Sequence, residues 1–373
     1  MDFLARIKSA IPPKIERDVA VLAHNVRAAM APKAESLGLL EYSKDGYLDC
    51  FKFDSCFVAN NFYGVETALK EYSNRTARIR AGIEHGVYFG STIESEATIN
   101  PYPGIITFSQ HRAFHLRKAF GRLILPIGPY IHYCAPYLED DDLTKLHSEL
   151  GRTLLVFPKH SIKNVILDAD LSQTLKQINL LCLARDIQTV LVCLYFNDVA
   201  TELPLLFESY GYKVVCCGHR SDPDFLRKQR SLIELADVTA SNSVGTHIGY
   251  CHHLGKEHVL FEQTYMERDQ RIGAINLGDS FKDTRVAEMQ DVSHAFGSEG
   301  SADERDLVVA RYWGTGQVRS RQELGIALNL FDAIYDRTRD VDSMVVAARQ
   351  IADELSDPTV ISLVDEMLSG CLL

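Results

Sequence analysis

The second half of the chain alternates short apolar runs with longer amphipathic segments. The apolar runs predict strands at 153–160, 189–196, 212–219, 238–243 and 258–262. The segments between them have apolar residues at helical spacing and predict helices at 171–184, 201–210, 222–235 and 246–255. Strands that alternate with helices are typical of βαβ units in a parallel sheet. We therefore expect a doubly wound α/β domain in this half.

The first half shows a less regular form of the same pattern. Its apolar runs predict one or two strands at 47–60 and strands at 104–109 and 122–128, and 77–90 predicts a strand that runs into a glycine-bounded loop. Helical patterns fall at 16–36, 62–73 and 111–120. The polar segment 137–148 predicts the crossing between the two halves, and its acidic run 139–142 a solvated loop. From about residue 302 the pattern is helical to the end. We expect an α/β protein with two Rossmann-like domains, at 1–145 and 146–300, and a helical segment at 301–373.

Composition narrows the class of protein. The 373 residues include 39 basic and 50 acidic side chains, which gives a formal net charge of −11. A nucleic-acid partner is not expected, because phosphate binding usually needs a basic face. The 9 cysteines are odd in number and lack CxxC spacing, which favours reduced thiols in the cytosol. Neither a signal peptide nor a membrane-spanning run is predicted, so we expect a cytoplasmic protein, either free or attached to the inner face of the plasma membrane through a local patch.

The sequence DVTASNSVGTHIGYCHHLGK, 237–256, concentrates small polar residues between a predicted strand and a predicted helix. A helix start at the carboxyl end of a parallel strand offers unbonded N–H groups and a partial positive charge, which suit a phosphate. Ser243 and Thr246 would add hydroxyl groups, and Gly245 would remove a Cβ obstacle. The alternative is an ordinary capped helix start without a ligand, since the loop lacks both the P-loop and the GxGxxG patterns.

Charged and histidine residues follow the neighbouring predicted strands. In a parallel sheet these strand ends share one edge with the Ser243–Thr246 loop, so lysine and arginine there could pair with a diphosphate and a glutamate could bind ribose hydroxyls. Each residue taken alone is equally consistent with a surface or capping position. The residues are Lys159, His160, His219, Arg220 and Glu262.

The first half has its own candidate in GIEHGVYFGS, where Glu84 and His85 lie at a predicted strand end between glycines. A histidine there could act as general base on an acceptor hydroxyl, and Glu84 could orient or replace it. The alternative is a turn histidine with local hydrogen bonds. No metal site is predicted: His252 and His253 are adjacent and diverge on a helix, and the LDAD motif at 167–170 is better explained by capping of the next helix.

The EHG turn in the first half and the AD…SNSVGTH loop in the second resemble glycosyltransferases of the GT-B architecture. More narrowly, residues 55–265 are similar to bacterial enzymes of capsule and lipopolysaccharide O-antigen synthesis. The resemblance implies an acceptor-binding first domain, a nucleotide-sugar-binding second domain and no metal or other cofactor. It implies a phosphate-binding role for Ser243, Gly245 and Thr246, a ribose-binding role for Glu262 and a base at His85. The E-x-G-x-P donor sequence of retaining relatives and a glycine-rich first loop are absent.

The sequence and the resemblance together predict a glycosyltransferase. It would move a sugar from a nucleotide-activated donor to a hydroxyl of a glycan or lipid-linked glycan. Two alternatives stay open. A sugar-nucleotide epimerase of the same architecture would need more acidic groups, for which Glu84, Glu262 and Asp198 are the candidates. A non-catalytic protein of polysaccharide assembly would keep its function without His85.

Overall fold

The computed structural model describes the chain in several stretches. They are residues 38–44, 60–91, 93, 101–160, 165–169, 171–261, 265–269 and 279–369. The predicted helix at 16–36, nearly all of the predicted strand region 47–60, and Glu262 lie outside the described residues.

The first half contains a parallel sheet with strands in the order β1-β2-β3. The strands are β1 Gly82–Ile83, β2 Gly104–Thr107 and β3 Leu123–Pro126. Helix α1, Val65–Tyr72, precedes the sheet, and helix α2, Gln110–Ala119, connects β2 to β3. The predicted strand–helix–strand unit is thus confirmed. Within 77–90, where a strand leading into a loop is predicted, the strand covers Gly82–Ile83.

The segment predicted as a solvated acidic loop is helical instead. Helix α3 runs from Asp140 to Leu150, and its first turn holds Asp140, Asp141 and Asp142. Negative charge is favourable at this end because the helix dipole places partial positive charge there. The acidic run is therefore a helix-start signal, and the loop prediction was wrong.

The second half builds a larger parallel sheet around a central strand. Its elements are β4 Thr153–Phe157, β5 Val165–Ala169, α4 Leu171–Arg185, β6 Thr189–Cys193, α5 Leu203–Ser209, β7 Lys213–Val215, α6 Phe225–Leu235, β8 Val238–Ser241, α7 Thr246–His253, β9 Glu257–Leu260 and β10 Tyr265–Asp269. The parallel strands lie in the order β7-β6-β4-β8-β9. The strands and helices predicted in 153–260 are confirmed, with ends that differ by a few residues.

This strand order reverses direction at the centre of the sheet. From β4 the chain first builds outward through β6 and β7, and then returns to the other side of β4 with β8 and β9. The arrangement is α/β and compatible with a Rossmann-like fold. In such sheets ligands bind outside the carboxyl ends of the strands at the reversal point, here β4 and β8.

The sequence patterns did not indicate the antiparallel pair formed by β5 and β10. In this pair Asp168 lies opposite Met266 and Val165 opposite Asp269. The LDAD motif thus begins inside a strand, while Asp170 lies outside the described residues.

The end of the chain is helical, as predicted, and packs against the first sheet. Its helices are α8 Asp279–Phe296, α9 Ala302–Trp313, α10 Arg321–Arg337, α11 Met344–Leu355 and α12 Pro358–Leu368. Helix α12 contacts β3, and Arg319 donates a hydrogen bond of 3.2 Å to the Pro126 carbonyl. Helix α8 was not predicted.

The buried core crosses both sheets. One apolar cluster contains Ile106 of β2, Leu155 of β4 and the fully buried Trp313 at the end of α9. Burial of these side chains is the main stabilising term for such a fold. Among the described helices, none has the length and apolar character that crossing a membrane requires.

Candidate functional site

The turn after β1 contacts the start of helix α7 directly. The backbone N–H of Val87 donates a hydrogen bond of 3.0 Å to Thr246 Oγ1. A side chain at Gly86 would bring its Cβ to 3.2 Å from the same oxygen, so glycine permits the close approach. The predicted turn with His85 and the predicted phosphate loop are therefore adjacent.

The end of helix α9 also contacts the start of α7. The indole Nε1 of Trp313 donates a hydrogen bond of 2.9 Å to the Thr246 carbonyl. The ring lies against the helix at Gly249, where an added Cβ would be 2.3 Å from the indole Cγ. The end of α9 thus holds Thr246 in place, with its hydroxyl toward the β1 turn.

The start of α7 is suited to bind an anion. Gly245 precedes the helix in extended conformation, with φ −164°, and within the described residues no side chain caps the first amides. Residues 243–247 are half-buried, so a ligand can reach them. The sequence predicts that Gly245 removes a Cβ obstacle to the ligand. In the structure the His247 ring fills the space beside Gly245, since a Cβ added at Gly245 would lie 2.8 Å from that ring.

His247 is neutral over the physiological pH range. Its ring stacks on Phe157 at 4.9 Å, and its buried Nε2 has no hydrogen-bond partner among the described residues. Burial, with a smaller contribution from His160, lowers the pKa of His247 to about 3. No pattern in the sequence singled out this side chain, and its ring stands between the α7 start and the end of β4.

The carboxyl ends of β4 and β8 are joined by a buried asparagine. Asn242 Oδ1 accepts a hydrogen bond of 2.6 Å from the Lys159 amide, and its Nδ2 donates to Thr174 Oγ1 at 3.3 Å. This pairing fixes the backbone at Lys159 beside the Ser243 loop. Lys159 and Ser243 are both half-buried, as a ligand-binding position requires.

His85 lies among aromatic rings. Its Nε2 is 3.2 Å from the Tyr88 hydroxyl, and its ring makes an edge contact with Phe62 at 5.5 Å and a tilted contact with Tyr63 at 5.9 Å. The ring is half-buried. We call Phe62, Tyr63, Tyr88 and Tyr195 the aromatic cluster.

The aromatic cluster connects His85 to the strand ends of the second sheet. The Arg220 guanidinium lies 4.5 Å from the centre of the Phe62 ring, on the same ring that contacts His85. The Tyr63 hydroxyl is 3.1 Å from the Tyr195 hydroxyl. The Tyr195 ring in turn lies 4.2 Å from the exposed ring of His160. The predicted residues His85, His160 and Arg220 are thus brought to one region.

Backbone strain coincides with this region. Tyr63 has φ 58°, which is uncommon for a residue with a side chain, and its amide donates to the Arg220 carbonyl. Gly64 follows with φ 69°, and a Cβ there would be 2.2 Å from the Pro223 carbonyl oxygen. Strained residues cluster at functional sites when the surrounding structure holds them.

His219 is engaged in its own turn. Its Nδ1 accepts a hydrogen bond of 3.2 Å from the Ser221 amide, and its ring contacts Phe196 at 4.4 Å. These contacts favour a structural role in the turn that presents Arg220.

Glu84 is buried in a network of the first half. Arg112 donates to both Glu84 oxygens, at 3.1 Å and 3.0 Å from Nε, and the Thr107 hydroxyl donates at 2.7 Å. The Glu84 and Arg112 side chains are 4% and 3% exposed. Both carboxylate oxygens are therefore occupied by hydrogen bonds from Arg112 and Thr107, and these contacts favour a positioning role for Glu84 over that of a base.

Sequence reasoning missed Phe62, Tyr63, Tyr195 and Asn242. The NNFYG stretch at 60–64 contained a signal, because two aromatic residues precede a glycine, but the pattern there predicts a helix start.

Two further features of the described residues lie outside the aromatic cluster. Side chains that could together hold a metal ion lie on α2 and α8. A cavity of about 290 Å³ beside Lys256 and Glu257 lies at the amino end of β9.

Comparison with known proteins does not assign the chain to a family. The sequence matches no model of a known protein family, and it matches no curated protein. A functional conclusion therefore depends on the chemistry and geometry of this site.

Proposed function

We propose that the protein is a glycosyltransferase that moves a sugar from a nucleotide-activated donor to a hydroxyl of a glycan or lipid-linked glycan. The observation that carries this proposal is the hydrogen bond of 3.0 Å between Val87 N and Thr246 Oγ1. It joins a histidine-bearing turn of the first sheet to a helix start at the reversal point of the second.

The donor side of the proposed site combines a helix start with two cations. The first amides of α7 bind the diphosphate, because they carry partial positive charge and have no side-chain cap within the described residues. Lys159, at the end of β4, and Arg220, after β7, stabilise the charge of the leaving nucleoside diphosphate. Fixed charges and dipoles of this kind are usually the largest contribution to catalysis.

The acceptor side of the proposed site uses His85. Its imidazole takes the proton of the attacking hydroxyl, since histidine changes protonation state near neutral pH. The Tyr88 hydroxyl, 3.2 Å from Nε2, orients the ring. The remaining aromatic rings supply the apolar lining that is typical of sites for organic ligands.

The environment of Glu84 favours transfer over epimerisation. An epimerase of this architecture would use carboxylates to move protons on the nucleotide sugar. Glu84 accepts hydrogen bonds from Arg112 and Thr107 and is therefore committed to the fold. The proposed arrangement is that of GT-B enzymes, with acceptor binding in the first half and the nucleotide in the second. The protein would work in the cytoplasm, either free or at the inner face of the plasma membrane.

A binding experiment tests the donor side. Thermal unfolding of the full chain is measured with UDP, GDP, CDP, CMP and TDP. A nucleotide at roughly 100 times its Kd should stabilise the native state by about 2.7 kcal/mol. The Arg220→Ala variant should lose most of this shift, while the His294→Ala variant, altered at an exposed position on α8, should keep it.

A turnover experiment tests the acceptor side with the nucleotide sugar that the binding screen selects. The His85→Ala variant should bind the nucleotide as the wild type does and lose transfer to glycan acceptors. If no nucleotide stabilises the wild type, or if His85→Ala turns over normally, the proposed function is wrong. Conversion of the free nucleotide sugar without an acceptor would instead identify an epimerase.

A further inference from the structure

Two histidines and a glutamate meet where helix α2 packs near helix α8. His111 and His115 are one helical turn apart on α2, so their side chains lie on the same face. Glu288 is on α8. One ligand atom from each residue falls within 4.8 Å of the other two.

Two of the separations between these atoms are close to those in the ligand shell of a small cation. Glu288 Oε1 is 2.7 Å from His111 Nε2 and 3.8 Å from His115 Nε2. Around a tetrahedral ion with bonds of about 2.0–2.1 Å, neighbouring ligand atoms are about 3.3 Å apart. The two distances lie on either side of this value, so small side-chain shifts would form the shell.

The third ligand atom of the group, His115 Nε2, is buried. The Nε2 of His115 lies near the carboxylate, and among the described residues it has no hydrogen-bond partner. A buried nitrogen without a partner is costly, and coordination of an ion would satisfy it. A hydrogen bond between Glu288 and His111 alone does not explain why a second histidine faces the same oxygen.

The surroundings orient the ligands as in a metal site. The Gly90 amide donates to Glu288 Oε2, which leaves Oε1 toward the histidines. The Tyr312 ring makes an edge contact with His111 at 5.3 Å and restricts the imidazole. Side-chain exposure is 22% for His111, 14% for His115 and 7% for Glu288, so the group is shielded but reachable.

We propose that His111, His115 and Glu288 bind a divalent transition-metal ion, with zinc as the best match. Two imidazoles and one carboxylate are a ligand set that zinc takes in proteins, with water in the fourth position. The ion fastens α8 to α2. Because the Gly90 carbonyl also accepts a hydrogen bond from Arg112 at 3.2 Å, the ion stabilises the network around Glu84 as well. This inference does not depend on the proposed transferase activity.

Zinc binding by the tag-free full chain tests the proposal. The protein is treated with EDTA, dialysed and titrated with ZnCl₂ by calorimetry. We expect about one tightly bound zinc per chain and a rise in the midpoint of thermal unfolding. The His115→Gln variant should lose this binding, whereas His294→Gln, at an exposed histidine of α8, should retain it.

A spectroscopic measurement on the unaltered chain avoids dependence on the folding of a variant. Co²⁺ added to the EDTA-treated protein should give the visible absorption of a tetrahedral nitrogen and oxygen site, and zinc should remove it. Equal zinc affinity in His115→Gln and wild type would overturn the proposal. So would a wild-type chain that binds neither ion.

Discussion

Replacement of Thr246 by valine tests the contact between the two halves of the site. Valine has the shape of threonine but cannot accept the hydrogen bond of 3.0 Å from the Val87 amide. A typical hydrogen bond contributes about 0.5–1.5 kcal/mol net, and a buried donor left without a partner costs about 1–3 kcal/mol. Val87 is half-buried, so water can compensate part of the loss. We expect Thr246→Val to lower the free energy of unfolding by about 1–2 kcal/mol.

Equilibrium unfolding in urea measures this change, as a shift of the midpoint at constant slope. Thr246→Ser is the matched control, because it keeps the hydroxyl and should stay within about 0.5 kcal/mol of wild type. Transfer activity should fall in the valine variant and persist in the serine variant. If the two variants unfold at the same urea concentration, the hydroxyl does not join the β1 turn to α7, and the reasoning fails.

Other variants test the surrounding structure. His247→Phe removes a group whose pKa is lowered from 6.5 to about 3, so the wild type should lose stability relative to this variant as the pH falls below about 6.5, by up to about 1.4 kcal/mol per pH unit. Urea unfolding at several pH values measures this difference, and a difference that does not change with pH would contradict the lowered pKa. Gly249→Ala should destabilise the protein by about 1–3 kcal/mol through its clash with Trp313. Gly325→Ala should instead stabilise it by about 0.5–1 kcal/mol, because no described residue lies within 4 Å of the added Cβ, and thermal unfolding compares the pair. Glu84→Gln should lower the free energy of unfolding by about 3–5 kcal/mol, because it leaves the buried Arg112 guanidinium without its counter-charge. A decrease below about 1 kcal/mol, measured by urea unfolding, would refute the role of this buried ion pair.

The regular elements were predictable because their patterns are local. The alternation of apolar strands and amphipathic helices in 153–260 appears in the structure with small shifts at the ends. Helix α3 was missed because three aspartates suggest a loop unless the dipole at a helix start is considered. The pair β5 and β10 depends on strands about 100 residues apart, which local patterns cannot reveal.

The candidate site was predictable only in part, for a related reason. Strand-end residues share one edge of a parallel sheet, which made Lys159 and Ser243 candidates from the sequence. The bridge from His85 to Arg220 runs through Phe62, and such a contact depends on tertiary packing. Glu84 was a candidate base because a sequence does not show that a buried arginine occupies its carboxylate.

A crystal structure of the full chain with the nucleoside diphosphate selected by thermal unfolding tests the central claim most directly. We expect phosphate oxygens within about 2.7–3.2 Å of the backbone amides of Thr246 and His247, with Arg220 at the diphosphate and His85 facing the same space. A diphosphate bound elsewhere on the protein, with the start of α7 left to solvent, would contradict the claim.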